Sequence, residues 1–510
     1  MTAILNSKFL IMNYGNFSAA AEKWFRHTTF KIKNSKFGGF QRVSVFTILT
    51  LVFTLSPGGV LARPPVVPSA PPLDIQAPAF ESKTLSCGMK VLFLKDNRMP
   101  LVQGNLFMPG GSVIDPVGKE GLSSLMEEAL RNGGAGDLTP EAFDEALENR
   151  AASLTASEDQ ESFTASFNCL SGDLTDVLGY FSDMLRRPKF EEKRLDTDKK
   201  DLAESLGRLE DTPDTLTRVL FRKTLFGNHP YAQWASPKSV LGLTRSDVTQ
   251  FYQNHYGPEG SVLVVTGKFD EEKIFQRLES VFSGWKGGVK PSQYAQPKPL
   301  GPAIYFFPKQ VGQVLIRFGV LGIQRHDPKD ISLQVANYVL GGSGFTSRLM
   351  REIRSNRGLA YFVDSFFLPY NVPGPFEVVG GTRPDSVKEF LTLMFQLTDD
   401  FAKEGPTEAE LDEAKLSMIE EFAYNFESSF KLAPYKASLD FNGYPADYLK
   451  TYRDKVKAVT REKASDAARE ILSQKDWVLV VCGPADLEPV LSAFGTVHKV
   501  TSIFEPLTAK

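Results

Sequence analysis

The chain repeats itself at an interval of 216 residues, and this repeat constrains the fold more than any other feature. Thr244 and Thr460 each open a predicted helix that leads into an apolar β run. Those two runs end at Gly267 and Gly483, again 216 residues apart. Similarity at a fixed offset of this size indicates duplicated domains rather than a short-period solenoid. The alternative explanation is a chance match between common strand-to-turn patterns.

Each repeat begins with short apolar runs typical of strands and continues into long helical patterns. The strand-like runs are residues 91–94 and 101–107 in the first repeat, and 303–306 and 314–318 in the second. The helical patterns include 173–186 and 406–424. Strands followed by helices and then a closing strand predict an α+β fold. We expect two homologous domains, each a largely antiparallel sheet covered by helices.

Length and local composition place the domain boundaries. A chain of 510 residues has room for two to four domains of about 150 residues each. The stretch around 286–300 is rich in Gly, Pro, Gln and Lys, which is typical of a linker. We therefore expect a first domain over 78–285, a linker over 286–300 and a second domain over 301–510.

The first 62 residues have the order of a secretory signal. Basic residues precede an uncharged apolar run over 43–55, and Val60-Leu61-Ala62 offers small or apolar residues for cleavage. The apolar run is shorter than the roughly 20 residues of a membrane span. A proline-rich stretch over 63–77 then predicts an extended tether. We expect a periplasmic or secreted bacterial protein, with an uncleaved membrane anchor as the alternative.

Charge and cysteine content exclude several classes of protein. The net charge is −3 and no basic stripe stands out, which argues against nucleic acid as a partner. The three cysteines are odd in number and far apart, at Cys87, Cys169 and Cys482. That pattern excludes a disulfide framework and a cysteine-based zinc site.

Four short motifs together resemble the pitrilysin/insulinase family of zinc metallopeptidases. They are Pro109-Gly110-Gly111-Ser112, Asn228-His229-Pro230-Tyr231, Tyr256-Gly257-Pro258 and the glycine-rich stretch over 341–349. The resemblance extends over most of the chain beyond residue 78 and suggests a short bacterial subunit like those of mitochondrial processing peptidase. It implies two homologous domains that form half of a clam-shaped chamber.

The resemblance also identifies a degenerate metal position. Residues 121–128 resemble the frame of the inverted zinc motif H-x-x-E-H, but Ser124 and Glu128 stand at the histidine positions. Glu127 is the middle acid, and Glu204 matches the family's third ligand on a later helix. Catalytic zinc requires three protein ligands and an open position for water. We therefore expect this chain to bind no zinc and to have no peptidase activity alone.

Oxygen ligands alone are a further possibility at this position. The carboxylates of Glu127, Glu128 and Glu204 are of a type that suits magnesium, calcium or manganese. Three acids on helices are also what a solvated helix face contains, and we expect no bound metal.

The second repeat contains a better candidate for function, an arginine seven residues before a tyrosine. Arg354 and Tyr361 lie on either side of a predicted helix end at Gly358. In the family that this chain resembles, such a pair contacts the substrate backbone from the domain opposite the zinc. Guanidinium and phenol groups both donate hydrogen bonds to a carbonyl oxygen. The alternative is a surface ion pair for Arg354 and a core position for Tyr361.

These features suggest a division of labour between two subunits. The resemblance implies a non-catalytic, substrate-binding subunit of a heterodimeric zinc metalloendopeptidase, in which a homologous partner carries the zinc and this chain supplies Arg354 and Tyr361. An exported peptide-binding or chaperone-like homodimer without proteolytic activity is the alternative function. In both cases a peptide is the expected ligand.

Overall fold

The computed structural model describes residues 77–289, 294–505 and 507. The predicted signal over 1–62 and the tether over 63–77, except its last residue, lie outside the described residues, as do positions 290–293 of the linker. Within the described ranges, no helix is both long enough and apolar enough to cross a membrane. The span Asp74–Lys510 forms one compact unit.

The first half of that unit contains a six-stranded mixed sheet. Its spatial order is β1-β2-β6-β3-β5-β4, with one parallel pair, β2 and β6. The remaining neighbours pair antiparallel. The strands are β1 (Glu81–Thr84), β2 (Lys90–Lys95), β3 (Leu101–Pro109), β4 (Ser153–Glu158), β5 (Ser162–Leu170) and β6 (Val262–Gly267).

The second half contains a six-stranded sheet of closely similar topology, which confirms the predicted duplication and the α+β class. Its order is β12-β7-β11-β8-β10-β9, and the closing strand β11 again runs parallel to the opening strand β7. The strands are β7 (Ala303–Pro308), β8 (Val314–Leu321), β9 (Ala360–Phe367), β10 (Pro375–Thr382), β11 (Val478–Gly483) and β12 (Val497–Lys499).

Helices connect and cover the strands of both halves, and their buried residues form the core with the sheets. Those of the first half are α1 (Leu122–Asn132), α2 (Pro140–Glu148), α3 (Leu174–Arg186), α4 (Glu192–Gly207), α5 (Pro213–Phe226), α6 (Pro237–Leu241), α7 (Arg245–His255) and α8 (Glu271–Phe282). Those of the second are α9 (Asp330–Asn337), α10 (Val387–Glu404), α11 (Glu408–Ala423), α12 (Ser429–Phe441), α13 (Tyr448–Lys457), α14 (Arg461–Leu472) and α15 (Glu488–Ser492).

The two halves interlock, because each half contributes one helix that packs against the sheet of the other half. Helix α5 packs against strands β8 and β11 of the second sheet, where Leu220 and Val480 share one buried cluster. Helix α12 packs against β3 and β6 of the first sheet, where Ala437 and Val264 share another. The two helices begin 216 residues apart, so the exchange is itself part of the repeat.

Glu161, in the turn between β4 and β5, forms a polar junction between the halves. Its Oε2 lies 2.6 Å from Arg325 Nη2, and its Oε1 accepts the Asn371 backbone N–H at 2.7 Å. The Tyr231 hydroxyl also donates to Oε1. The side chains of Glu161 and Arg325 are 9% and 14% exposed, so this pair is shielded from solvent. Interlocked helices and this junction fix the two sheets within one unit.

Candidate functional site

Helix α1 carries the degenerate metal position, and a buried carboxylate fixes its first turn. Asp115 Oδ2 accepts the Gly121 N–H at 2.7 Å, and Oδ1 accepts the Ser123 N–H at 2.8 Å. Gly121 has a φ of +93°, and a Cβ at this position would lie 2.8 Å from Ala235 Cβ and from Val240 Cγ2. Glycine is required at such a position because other residues would clash there and rarely adopt positive φ.

Two positions of the degenerate motif are bonded to one residue of strand β4. The Ser124 hydroxyl donates to Glu158 Oε1. The Glu158 backbone N–H donates to Glu127 Oε2 at 3.1 Å. Strand β4 is the edge strand of the first sheet, and Glu158 is its last residue. Ser124 and Glu127 therefore face the end of an edge strand.

The other two positions predicted from the sequence lie apart from this contact. Glu128 is exposed and accepts a hydrogen bond from Asn132 Nδ2 at 3.3 Å. Glu204, on α4, has a side chain 65% exposed and forms an ion pair with Arg208 one turn later. Helices α1 and α4 are instead joined by Asn132 Nδ2 and Asp198 Oδ1, 3.2 Å apart. The structure thus shows no contact of Glu204 with the acids of α1.

These residues do not fit catalytic zinc. Ser124 is bonded to a carboxyl oxygen, Glu127 accepts a backbone N–H, and Glu204 is paired with an arginine at the surface. None of the residues at the motif positions supplies the imidazole nitrogens that such sites use. Across the described ranges, no group of three or more His, Cys, Asp or Glu residues has metal-binding geometry. No hydrolytic step through a metal can be derived for this chain from these residues.

The same position concentrates acids whose pKa values are raised. Burial, followed by the nearby charges of Glu158 and Glu128, raises the pKa of Glu127 to about 9. Burial and the charge of Glu158 raise the pKa of Asp115 to about 7, against hydrogen bonds from Gly121 and Ser123. Burial also raises the pKa of Glu158, which Ser124 opposes by hydrogen bonding to its charged form. Glu127 therefore holds a proton at neutral pH that an exposed carboxylate would release.

We expect Glu127→Gln to stabilise the protein at alkaline pH. The pKa of Glu127 rises from 4.5 to about 9 on folding, so its stabilising contribution is complete below pH 4.5 and is lost as pH rises towards 9. Glutamine cannot ionise and keeps an oxygen to accept the Glu158 N–H. The expected gain is several kcal/mol at pH 8 and close to none at pH 4.

Urea unfolding of the wild type and the variant from pH 4 to 9 measures this difference. Glu145→Gln, at an exposed position of helix α2, is the matched control and should follow the wild-type profile. Equal midpoints for Glu127→Gln and the wild type at pH 8 would contradict the raised pKa.

Glu158 is the residue of this site that the sequence did not predict. It follows an alternating strand pattern and carries no motif of its own. A strand-end side chain can face either side until the position of the strand against helix α1 is known. Only the spatial pairing of α1 with β4 reveals its contact with Ser124.

Arg354 lies in a π-helical segment, Met350–Ser355, and the predicted glycine follows three residues after its end. Gly358 has a φ of +63°, and its N–H donates to the Arg354 carbonyl at 2.9 Å, which confirms the predicted helix end. The guanidinium stacks over the Phe345 ring, 5.0 Å from its centroid, and Phe345 is 69% exposed. No carboxylate in the described part of the chain pairs with Arg354. Its charged donors are therefore not committed to an ion pair.

Tyr361 lies in strand β9, the edge strand of the second sheet, and is 57% exposed. The ladder between β9 and β10 pairs Gly381 with Phe362 and Thr382 with Ala360, so Tyr361 is the extra residue of a β-bulge. Bulges of this kind redirect a side chain and interrupt regular pairing. Tyr361 is therefore an exposed residue of the edge strand and not a core residue.

Comparison with family models covers both halves of the chain. Residues 90–235 match the model described as Insulinase (Peptidase family M16). Residues 242–418 match the model described as Peptidase M16 inactive domain. The first match contains the degenerate position on α1, and the second contains Arg354 and Tyr361.

Named relatives and a solved structure are also similar to this chain. A Streptomyces coelicolor protein named as an uncharacterized zinc protease is 29% identical over 258 residues, which are 48% of this chain and 55% of the relative. The match therefore spans only about half of that relative's length. A Helicobacter pylori protein named as a non-peptidase homolog is 22% identical over 77% of this chain and 92% of its own.

A crystal structure described as the peptidase M16 inactive domain from Pseudomonas fluorescens superposes with a TM-score of 0.73. The sequence identity is 26%, and the alignment covers 80% of this chain and 98% of that one.

Proposed function

The chain belongs to the insulinase family of peptidases, family M16, and we propose that it is the non-catalytic, substrate-binding subunit of a heterodimeric zinc metalloendopeptidase. A zinc-bearing homologue supplies the hydrolytic centre, and this chain binds the peptide with Arg354 and Tyr361. The lack of a fitting zinc ligand set on α1 supports the non-catalytic role. We propose further that the segment 1–62 directs export, so that the complex acts in the periplasm or outside the cell.

The placement of Arg354 and Tyr361 is the observation that carries the proposal. The Arg354 guanidinium, which has no carboxylate partner among the described residues, and the exposed Tyr361 side chain lie on either side of one glycine turn. Tyr361 is on an edge strand, where an extended peptide can add by backbone hydrogen bonds. Both side chains can donate to a peptide carbonyl and stabilise negative charge that develops on its oxygen.

The alternative is an exported homodimer that captures peptides without cutting them. It uses the same open strand edge and the same donors. The two functions differ in the partner, since only the heterodimer needs a second, zinc-bearing chain.

Mixing experiments with a zinc-bearing homologue from the same genome test the proposal. We expect the two chains to co-elute as a one-to-one complex and the mixture to cleave a peptide library about tenfold faster than the homologue alone. The present chain alone should neither cleave nor carry stoichiometric zinc. Absence of both binding and activation contradicts the proposal. Peptide binding by a dimer of this chain alone, without effect on the homologue, supports the alternative function instead.

A further inference from the structure

The contacts between helix α1 and strand β4 show how the family's metal position is built in this chain. In the described part of the chain, Ser124 and Glu127 both bond to Glu158, one through its carboxyl group and one through its backbone N–H. We infer that Glu158 closes the metal position, because its side chain makes the link between helix and edge strand with which a ligand at position 124 would have to compete. This inference is independent of the proposed peptide binding.

The surroundings favour a carboxyl group at this point. Arg222, from helix α5, contributes an opposite charge to Glu158. Its Nε donates to the Tyr231 carbonyl at 2.6 Å, and its guanidinium stacks on the Trp234 ring at 5.2 Å. Arg222 is thereby held in place near Glu158. The carboxyl of Glu158 has both a hydrogen-bond donor, Ser124, and a fixed cationic neighbour.

Closure by Glu158 is an obstacle to zinc binding that is separate from the missing histidines. If only the imidazoles were missing, restoring them at positions 124 and 128 would recover zinc affinity. If Glu158 also closes the position, the restored imidazole at 124 must displace its carboxyl, and affinity stays low. Removal of Glu158 from the histidine variant then has a large effect on zinc binding.

The test measures zinc affinity of the full chain in two matched variants. Both carry Ser124→His and Glu128→His, together with Arg208→Ala to release Glu204 from its ion pair. One adds Glu158→Ser, and the other adds Glu145→Ser at an exposed position of α2. We expect the Glu158→Ser variant to bind Zn²⁺ about 100-fold more tightly in a chelator competition. Cobalt(II) absorption should show tetrahedral ligation in that variant only.

Equal zinc affinities of the two variants, whether high or low, would overturn the inference. A second measurement avoids the histidine background in case its variants fail to fold. Ser124→Ala and Glu158→Leu, each of which removes one partner of the bond, are made singly and together in the wild type, and urea midpoints are compared. The double variant should lose no more stability than the larger single change, because one bond is removed in each case. Fully additive losses would show that the link does not exist and would also overturn the inference.

Discussion

Arg354→Ala is expected to lower kcat/KM for peptide cleavage by the proposed heterodimer by about 10²-fold. The side chain offers several N–H donors, and no carboxylate of the described residues competes for them. Its loss removes a positioned donor to the peptide carbonyl, while the turn that leads to Tyr361 is held by the Arg354 backbone and stays in place. Initial rates with the purified zinc-bearing homologue and a fluorogenic peptide measure the effect.

Arg357→Ala is the matched control for this change. Arg357 is three residues later, is exposed, and donates from its Nη1 to Glu352. Its replacement should leave the rate within about twofold of the wild type, as is usual for surface changes. The complex should form equally well with both variants, as measured by co-elution. Equal rates for Arg354→Ala and Arg357→Ala would remove the basis for a substrate-binding role.

Arg317→Ala is expected to destabilise the fold by about 3–5 kcal/mol. Arg317, on β8, is 5% exposed and donates to Glu377 Oε1 at 2.9 Å. It also donates to Asp214 Oδ1 at 2.6 Å and to Thr217 Oγ1 at 3.2 Å, both on helix α5. The change leaves the Glu377 carboxyl buried without its Arg317 partner, and it removes the bonds to helix α5 of the first half. Equilibrium unfolding in urea measures the loss.

The double variant Arg317→Met with Glu377→Leu separates the cost of the unpaired Glu377 carboxyl from the cost of the lost bond to helix α5. Replacing a buried ion pair by apolar residues of similar size is often neutral, so we expect recovery of about half or more of the lost stability. Arg469→Ala removes an exposed pair with Asp466 and should cost less than about 1 kcal/mol. If Arg317→Ala also costs less than about 1 kcal/mol, the hydrogen bonds from Arg317 to helix α5 do not stabilise the contact between the two halves.

The two halves of the molecule thus use equivalent elements differently. Strand β4 in the first sheet and strand β9 in the second occupy the same edge position in the repeated topology. Glu158 at the end of β4 is bonded to helix α1, whereas Tyr361 near the start of β9 is exposed. The edge strand of the first sheet ends at Glu158, whose carboxyl accepts a hydrogen bond from Ser124. The edge strand of the second sheet carries the exposed Tyr361 side chain. The proposed function places peptide recognition on the second.

Features that depend on neighbouring residues were predictable from the sequence. The apolar runs that end at Gly267 and Gly483 are the closing strands β6 and β11, because apolar β runs followed by glycine are a local signal. The turn at Gly358 was predictable for the same reason, since it follows from one residue that adopts positive φ. The duplicated α+β architecture followed from these local signals and their constant offset.

The contacts that give the site its character are long-range, and the sequence pattern did not contain them. Glu204 matched a metal-ligand position by spacing, yet its side chain is exposed and paired with Arg208 within its own helix. No sequence motif pointed to Glu158, yet its carboxyl accepts a hydrogen bond from Ser124, 34 residues earlier in the chain. The sequence by itself determined the repeat, the strands and the absence of imidazoles on α1. Only the tertiary structure decided which helix covers which sheet and which carboxyl closes the position, because packing between distant segments sets side-chain partners and local periodicity does not.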